Sequence, residues 1–214
     1  MIRFRTLALA AMAVVVLTSA CSSATSEPST TAALADRDTS ASRALPQTTM
    51  IGSDVGDVSL PDVSNGGEPF AMEAPAGGAL VVYFGFTACP DVCPTTMTDL
   101  RTALGDLGES ADQVEVAMAT IDPDRDSDAV ITDYVQFFIP TAHALRTDDA
   151  DALKQAADAF GVSYSVTTLE DGGVEVGHSP FLYAVDDAGA IRAVWAFGAE
   201  PDLIASDLAE IVDS

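Results

Sequence analysis

Two cysteines stand four positions apart, between an apolar run and a stretch that can begin a helix. The run 79–86 (ALVVYFGF), just before Cys89 and Cys93, is continuously apolar and predicts a strand that is buried on both faces. Pro94 lacks an amide hydrogen and is tolerated in the first helical turn, so a helix is expected to begin near Cys93. The partial positive charge of a helix N-terminus favours thiolates, which attack disulfides and bind soft metals. Reactive sulfur chemistry is therefore expected at this point of the chain.

The spacing of the two cysteines leaves two kinds of chemistry open. Redox pairs of the thioredoxin type have two residues between their cysteines, whereas Pro90, Asp91 and Val92 make three here. Such a loop can close a disulfide, or it can hold both sulfurs against a single ion. Two thiolates alone leave a copper or zinc site incomplete, so a metal site would need a third ligand from elsewhere in the chain.

Two histidines are available to supply that ligand. His178 precedes the apolar run 181–185, which predicts a strand, so its imidazole is expected at the mouth of a sheet rather than in its interior. His143 lies in a predicted connection and has no partner at ligand spacing. We interpret His143 as a surface or loop residue.

Three segments of the chain resemble the Sco/SenC family, thioredoxin-like proteins that assist assembly of the binuclear copper centre of cytochrome c oxidase. Residues 86–96 (FTACPDVCPTT) resemble the family signature. Residues 121–126 (IDPDRD) resemble its strand-end motif, and residues 177–189, which begin GHS, resemble its histidine motif and hairpin. The order and spacing of these motifs fit the family over roughly residues 55–212.

The resemblance implies a thioredoxin-like α/β fold, with a central mixed sheet flanked by helices, an N-terminal hairpin and an inserted hairpin that carries His178. It implies that Cys89, Cys93 and His178 ligate copper, as Cu(I) or Cu(II), and that the two cysteines can pair as a disulfide. The implied partners are the copper-receiving subunit of cytochrome c oxidase and a thiol reductant. Ala88 and Gly177 stand where histidine and aspartate are common in the family, and neither departure removes a ligand.

An enzymatic alternative stays open at this point. The chain could be a thiol-disulfide oxidoreductase that reduces the cysteines of a target protein, with Cys89 or Cys93 attacking and the other resolving the mixed disulfide. His178 would then tune thiolate formation. A disulfide with a purely structural role is a third possibility. Replacement of His178 with alanine distinguishes the copper carrier from the redox enzyme, because a copper carrier would lose tight copper binding and a redox enzyme would stay partly active.

Asp122 ends a second predicted strand, 114–121 (VEVAMATI). Strand, helix and strand in this order imply a right-handed crossover and a parallel sheet, so Asp122 and Cys89 are expected at the same sheet edge. Asp122 has two interpretations. It could turn the chain or cap the helix expected near Asp128, or it could orient a metal ligand and govern proton uptake there.

Composition and the N-terminal sequence indicate an exported protein. The net charge of −24 and pI near 4.1 argue against nucleic acid as a partner. Residues 1–20 have a basic start, an apolar stretch too short to span a bilayer and small residues at the end, as in a signal peptide. The sequence before Cys21 resembles a bacterial lipobox, which implies lipid attachment at Cys21; ordinary signal cleavage after residue 20 is the alternative.

The rest of the chain is expected to form a tether and one domain. Residues 21–54, rich in Ser, Thr and Ala, predict a disordered linker, and residues 55–214 are assigned to the thioredoxin-like domain. The protein is therefore expected on the extracytoplasmic face of the cell membrane, anchored by lipid. Apolar spacing predicts core positions for a further set of side chains: Met72, Met97, Met118, Val130, Tyr134, Phe137 and Phe138.

Overall fold

The computed structural model describes residues 49–213. Its strands are β1 Ser59–Asp62, β2 Glu68–Ala71, β3 Ala79–Gly85, β4 Val114–Thr120, β5 His143–Leu145, β6 Tyr164–Thr168, β7 Val174–His178, β8 Phe181–Val185 and β9 Ile191–Ala196. Its helices are α1 Val92–Leu107, α2 Asp128–Phe138, α3 Ala150–Ala159 and α4 Pro201–Val212. Within this described part, every helix is too short or too polar to cross a membrane. The predicted signal peptide, most of the predicted linker and Cys21 lie outside the described residues.

Seven strands form one mixed sheet in the order β2-β1-β5-β4-β3-β8-β9. Strands β3, β4 and β5 are parallel to one another, and the remaining pairs in the sheet are antiparallel. The β1–β2 pair is the predicted N-terminal hairpin, and helices flank the sheet as the α/β prediction requires. Because β3 and β4 are neighbouring parallel strands, the residues that follow them meet at one edge of the sheet.

Strand β3 is the centre of the core. All of its side chains are buried, as expected for a continuously apolar strand with a neighbour on each side. Helix α1 packs against α4 and buries Cys93, Met97 and Leu100 toward the sheet. Met72, Met97 and Met118 are each fully buried, which confirms their predicted place in the core.

The connection after β4 leads into α2 through a side-chain cap. Ser127 is the N-cap of α2, and its hydroxyl accepts a hydrogen bond from the amide of Val130. Asp122 is therefore not the cap of this helix. The buried face of α2 consists of Ile131, Val135 and Phe138.

The prediction that Val130 and Phe137 lie in the core is wrong. Val130 is 43% exposed and Phe137 is 75% exposed. The apolar residues of α2 form two stripes along the helix. The residues of one stripe directly follow those of the other in the sequence, so both stripes have nearly the same helical spacing. Spacing alone does not say which stripe faces the sheet, and here the stripe of Ile131 and Val135 does.

His143 is also placed differently from its prediction. It lies in β5 rather than in a loop, and its Nδ1 is 2.7 Å from the Oδ2 of Asp62, which is 2% exposed. The amide and hydroxyl of Ser64 donate to the same carboxylate. Burial alone would raise the pKa of Asp62, but these hydrogen bonds and the charge of His143 lower it overall. His143 thus fastens the N-terminal hairpin to the sheet.

A second, two-stranded sheet carries the other histidine. Strands β6 and β7 pair antiparallel with Tyr164 opposite His178, and Gly172 closes their turn with a positive φ of 84°. His178 is the last residue of β7. The predicted inserted hairpin is therefore present, and it delivers His178 to the rest of the domain.

Candidate metal centre

Three side chains meet at the sheet edge that follows β3. One ligand atom from each of Cys89, Cys93 and His178 lies within 4.8 Å of the others, and this is the one such group of three that the described residues contain. The Sγ of Cys93 is 3.7 Å from the Nε2 of His178. The structure thus brings together the two cysteines and the histidine that the sequence singled out. We call these three residues the cysteine–histidine cluster.

The local backbone fixes both sulfurs. Cys93 lies in the first turn of α1 and is fully buried, whereas Cys89 lies in the preceding loop and is 9% exposed. The amide of Cys93 is 3.3 Å from the Sγ of Cys89, to which it donates. Both cysteines are free thiols in this structure.

The orientation of His178 leaves one ring nitrogen available. Its Nδ1 is 3.2 Å from the carbonyl oxygen of Ser179. Because a carbonyl can only accept, Nδ1 carries the proton and the lone pair resides on Nε2, which faces Cys93. This arrangement is the one in which a neutral imidazole can bind a metal ion through Nε2. Burial lowers the pKa of His178, which also favours the neutral ring.

Burial decides the protonation of Cys93. Its pKa is raised to about 12, chiefly by burial, even though the hydroxyl of Tyr83 donates a hydrogen bond to its Sγ at 3.4 Å. For Cys93, burial therefore outweighs the stabilisation of the thiolate that was expected from the helix N-terminus, and the side chain stays protonated as a thiol. A metal ion bound to Cys93 must displace its proton.

Tyr83 belongs to the site, although the sequence marked it only as part of a buried strand. Its hydroxyl contacts Cys93, and its ring lies 6.0 Å from the ring of His178 in an edge-to-face arrangement. Gly85 makes this approach possible. A Cβ at that position would lie 2.7 Å from Cε1 of Tyr83 and 3.2 Å from the Sγ of Cys93.

We therefore expect Gly85→Ala to destabilise the fold by about 1–3 kcal/mol, the usual cost of overpacking a core. Urea denaturation measures this change. Gly105→Ala is the matched control, because a Cβ there has no neighbour within 4 Å and alanine favours a helix. Equal stability of the two variants would show that Tyr83 and Cys93 leave more room than the structure indicates.

A buried carboxylate supports the loop before Cys89. Asp126 is fully buried and accepts hydrogen bonds from the amide of Thr87 at 3.0 Å, from the hydroxyl of Thr87, and from the hydroxyl of Thr120 at 2.6 Å. It therefore ties the start of the cysteine loop to the end of β4. Nothing in the sequence distinguishes Asp126, because only Asp122, the first aspartate of the strand-end motif, directly follows the predicted strand.

Asp122 reaches the cluster through two other side chains. Its carboxylate, 2% exposed, forms an ion pair with Arg125, and the guanidinium of Arg125 lies over the ring of Phe86 at 5.9 Å from its centroid. The Phe86 ring in turn packs edge-to-face against His178, with 5.8 Å between centroids. A role for Asp122 in orienting a metal ligand stays a prediction. Asp122 would act on His178 through these contacts of Arg125 and Phe86.

The donor set suits a soft metal ion. Two sulfurs and an imidazole nitrogen converge, and the rings of Tyr83 and Phe86 pack against the imidazole. Thiolates favour Cu(I) and Zn²⁺, and imidazole also binds Cu(II). The hard ions Mg²⁺ and Ca²⁺, which require oxygen ligands, do not fit this cluster.

Comparison with known proteins agrees with this geometry. The family model described as SCO1/SenC matches residues 61–213. The chain belongs to the SCO1/SenC family. An SCO2-like protein of Rickettsia felis is 32% identical over 136 residues, which cover 63% of this chain and 65% of that protein. The match thus spans less than two thirds of the length of that curated relative.

Solved structures of the SCO1/SenC family share the fold. The structure of Bradyrhizobium japonicum ScoI with copper bound matches with a TM-score of 0.63 and 27% identity, covering 75% of this chain and 99% of that one. Yeast Sco1 with copper bound matches with a TM-score of 0.65 and 28% identity, covering 77% of this chain and 89% of that one. The thioredoxin-like fold predicted from the sequence is thus confirmed.

Proposed function

We propose that this protein is a copper metallochaperone that carries copper on Cys89, Cys93 and His178. The observation that carries the proposal is the convergence of two sulfurs and the unprotonated Nε2 of His178 within 4.8 Å. The copper bound in the solved structures of ScoI and yeast Sco1 supports the choice of metal. Copper is the cargo in this proposal, and the protein's own contribution is to hold it and to release it.

Coordination chemistry favours copper over zinc at this cluster. Structural zinc sites have four protein ligands in a tetrahedron, whereas the described residues contribute three to the cluster. Cu(I) prefers soft sulfur ligands, and His178 lets the same site accept Cu(II). Both states require the cysteines to be reduced, so a disulfide between Cys89 and Cys93 would block loading.

The proposed acceptor is the copper-receiving subunit of cytochrome c oxidase, the partner that membership of this family suggests. The test is anaerobic titration of the reduced protein with Cu(I) and Cu(II), followed by incubation with the apo subunit. Stoichiometric binding and movement of copper to the subunit are expected. Exchange of disulfides without movement of metal would contradict the chaperone function.

A second candidate function is thiol-disulfide exchange, favoured by the unequal exposure of the two sulfurs. Cys89 is 9% exposed and Cys93 is fully buried, so Cys89 is the sulfur that would attack a target disulfide. Cys93 would then displace the target thiol from the mixed disulfide, leaving the target reduced by two electrons and Cys89 joined to Cys93. A thiol reductant would be needed to restore the pair. His178→Ala separates this activity from copper transport.

Copper affinity is expected to rise with pH. Cys93 keeps its proton throughout the neutral range, because burial raises its pKa to about 12. Each bound copper therefore releases that proton, and the apparent affinity should rise at least about tenfold per pH unit. Competition with a Cu(I) chelator between pH 6 and pH 8 measures the slope. A flat profile would show that Cys93 does not bind as a thiolate.

We also propose that lipid on Cys21 anchors the domain to the extracytoplasmic face of the cell membrane, with residues 21–54 as a tether. The lipobox-like sequence after the signal peptide supports this assignment. Cys21→Ser is expected to move the protein from the membrane fraction to the soluble fraction of the cell. Retention of the variant in the membrane would point to another anchor.

A further inference from the structure

We propose that the face on which the cysteine–histidine cluster opens is a docking surface for a partner that presents basic side chains around an apolar contact. The inference rests on the proposed function, because copper held by the cluster must pass to its acceptor across this face. Cys89 and His178 both line an open groove here. An acceptor that reaches their ligand atoms must therefore contact the walls of that groove.

The walls of the groove are mainly apolar. They include the side chains of Phe86, Pro90, Val92, Val176 and Pro180. Pro180 also lines a neighbouring shallow groove, whose walls include Phe197, 44% exposed. The two grooves therefore adjoin at Pro180, and we call their walls together the mouth surface. An exposed apolar surface beside a functional site is typical of a place where another protein binds.

The charged side chains on the mouth surface are acidic. Asp91 lines the first groove and Asp99 lines the second, and no lysine or arginine lines either. Asp91 occupies the N-cap position of α1 without forming a side-chain cap bond, so its carboxylate is free to meet a partner. The nearby guanidinium of Arg125 is already paired with Asp122.

The charge of the whole chain strengthens this local pattern. The sequence has 33 Asp and Glu against 9 Lys and Arg. Four of those basic residues are bonded to carboxylates of the chain itself, namely Arg125, Arg146, Lys154 and Arg192. Such a surface repels acidic partners and attracts basic ones, which raises the rate of productive encounters. The partner that fits is therefore one with Lys or Arg around an apolar centre.

Transfer of copper to charged model acceptors tests the proposal. The Cu(I)-loaded full chain is mixed with two peptides that share one cysteine-containing copper-binding core, flanked either by lysines or by glutamates. We expect the lysine-flanked peptide to take copper about tenfold faster, or more, at low salt. The difference should vanish near 1 M salt, where the screening length falls to about 3 Å.

Charge-neutralising variants locate the docking surface. Asp91→Asn combined with Asp99→Asn is expected to remove most of the preference for the lysine-flanked peptide. Glu109→Gln combined with Asp112→Asn is the control with the same change in net charge. These two exposed residues lie on the segment that leads into β4, at the end of the strands away from the cluster.

Two results would overturn this proposal alone. One is an equal loss of preference in both double variants, which would mean that only overall charge matters. The other is equal transfer to the two peptides by a protein that binds copper normally, which would leave the proposed function standing. A chain that takes up no copper would overturn the proposed function together with this inference.

Discussion

Replacing His178 with alanine is expected to abolish tight copper binding while the domain stays folded. The variant loses the Nε2 that lies 3.7 Å from the Sγ of Cys93 and keeps both sulfurs. Cu(II) binding should be lost, because two thiolates alone do not satisfy its preference for nitrogen and oxygen ligands. Loss of a residue that only supports a metal ligand typically lowers metal affinity ~10–100-fold. Loss of the ligand His178 itself should lower the Cu(I) affinity by more than that. Chelator competition under anaerobic conditions measures both affinities.

The other histidine provides the matched control. His143→Gln keeps a side-chain donor for Asp62 and leaves the cysteine–histidine cluster untouched. Its copper affinity should equal that of the wild type. Retained tight binding in His178→Ala, with unchanged stoichiometry, would remove His178 from the proposed site and favour the thiol-exchange function.

Replacing Asp126 with alanine is expected to cause a large loss of stability. The change removes the acceptor for three hydrogen bonds from Thr87 and Thr120, and it leaves the buried hydroxyl of Thr120 and the half-buried donors of Thr87 without this partner. Each buried donor that is left without an acceptor costs about 1–3 kcal/mol, so the total is a large fraction of the ~5–15 kcal/mol that stabilises a typical domain. Urea denaturation measures the loss.

The same variant should weaken copper binding, because Thr87 begins the loop that positions Cys89. Asp124→Ala is the control, since Asp124 is exposed in the same connection. Asp126→Asn retains an acceptor oxygen and should lose less stability than the alanine variant. A loss of under 1 kcal/mol in Asp126→Ala would contradict the account, because it would mean that Asp126 does not hold this loop.

The sequence predicted the frame of the site because its signals are local. A fully apolar run predicted β3, and Pro94 located the start of α1. The family motifs pointed to the same cysteines and histidine that the structure brings within 4.8 Å. These features required no knowledge of which distant residues pack together.

The supporting residues could not be predicted, because their roles depend on contacts between distant parts of the chain. In a strand buried on both faces, periodicity does not show that Tyr83 faces Cys93. Asp126 is buried because the chain turns back after Asp122, with the Asp126 amide donating to the Asp122 carbonyl, and thereby meets Thr87. His143 pairs with Asp62, 81 positions earlier in the sequence.

X-ray absorption spectroscopy of the Cu(I)-loaded protein tests the central claim most directly. One copper ion coordinated by two sulfurs and one imidazole nitrogen is expected. The nitrogen contribution should disappear in His178→Ala. A wild-type spectrum with sulfur ligands alone, or one that is unchanged by His178→Ala, would contradict that claim.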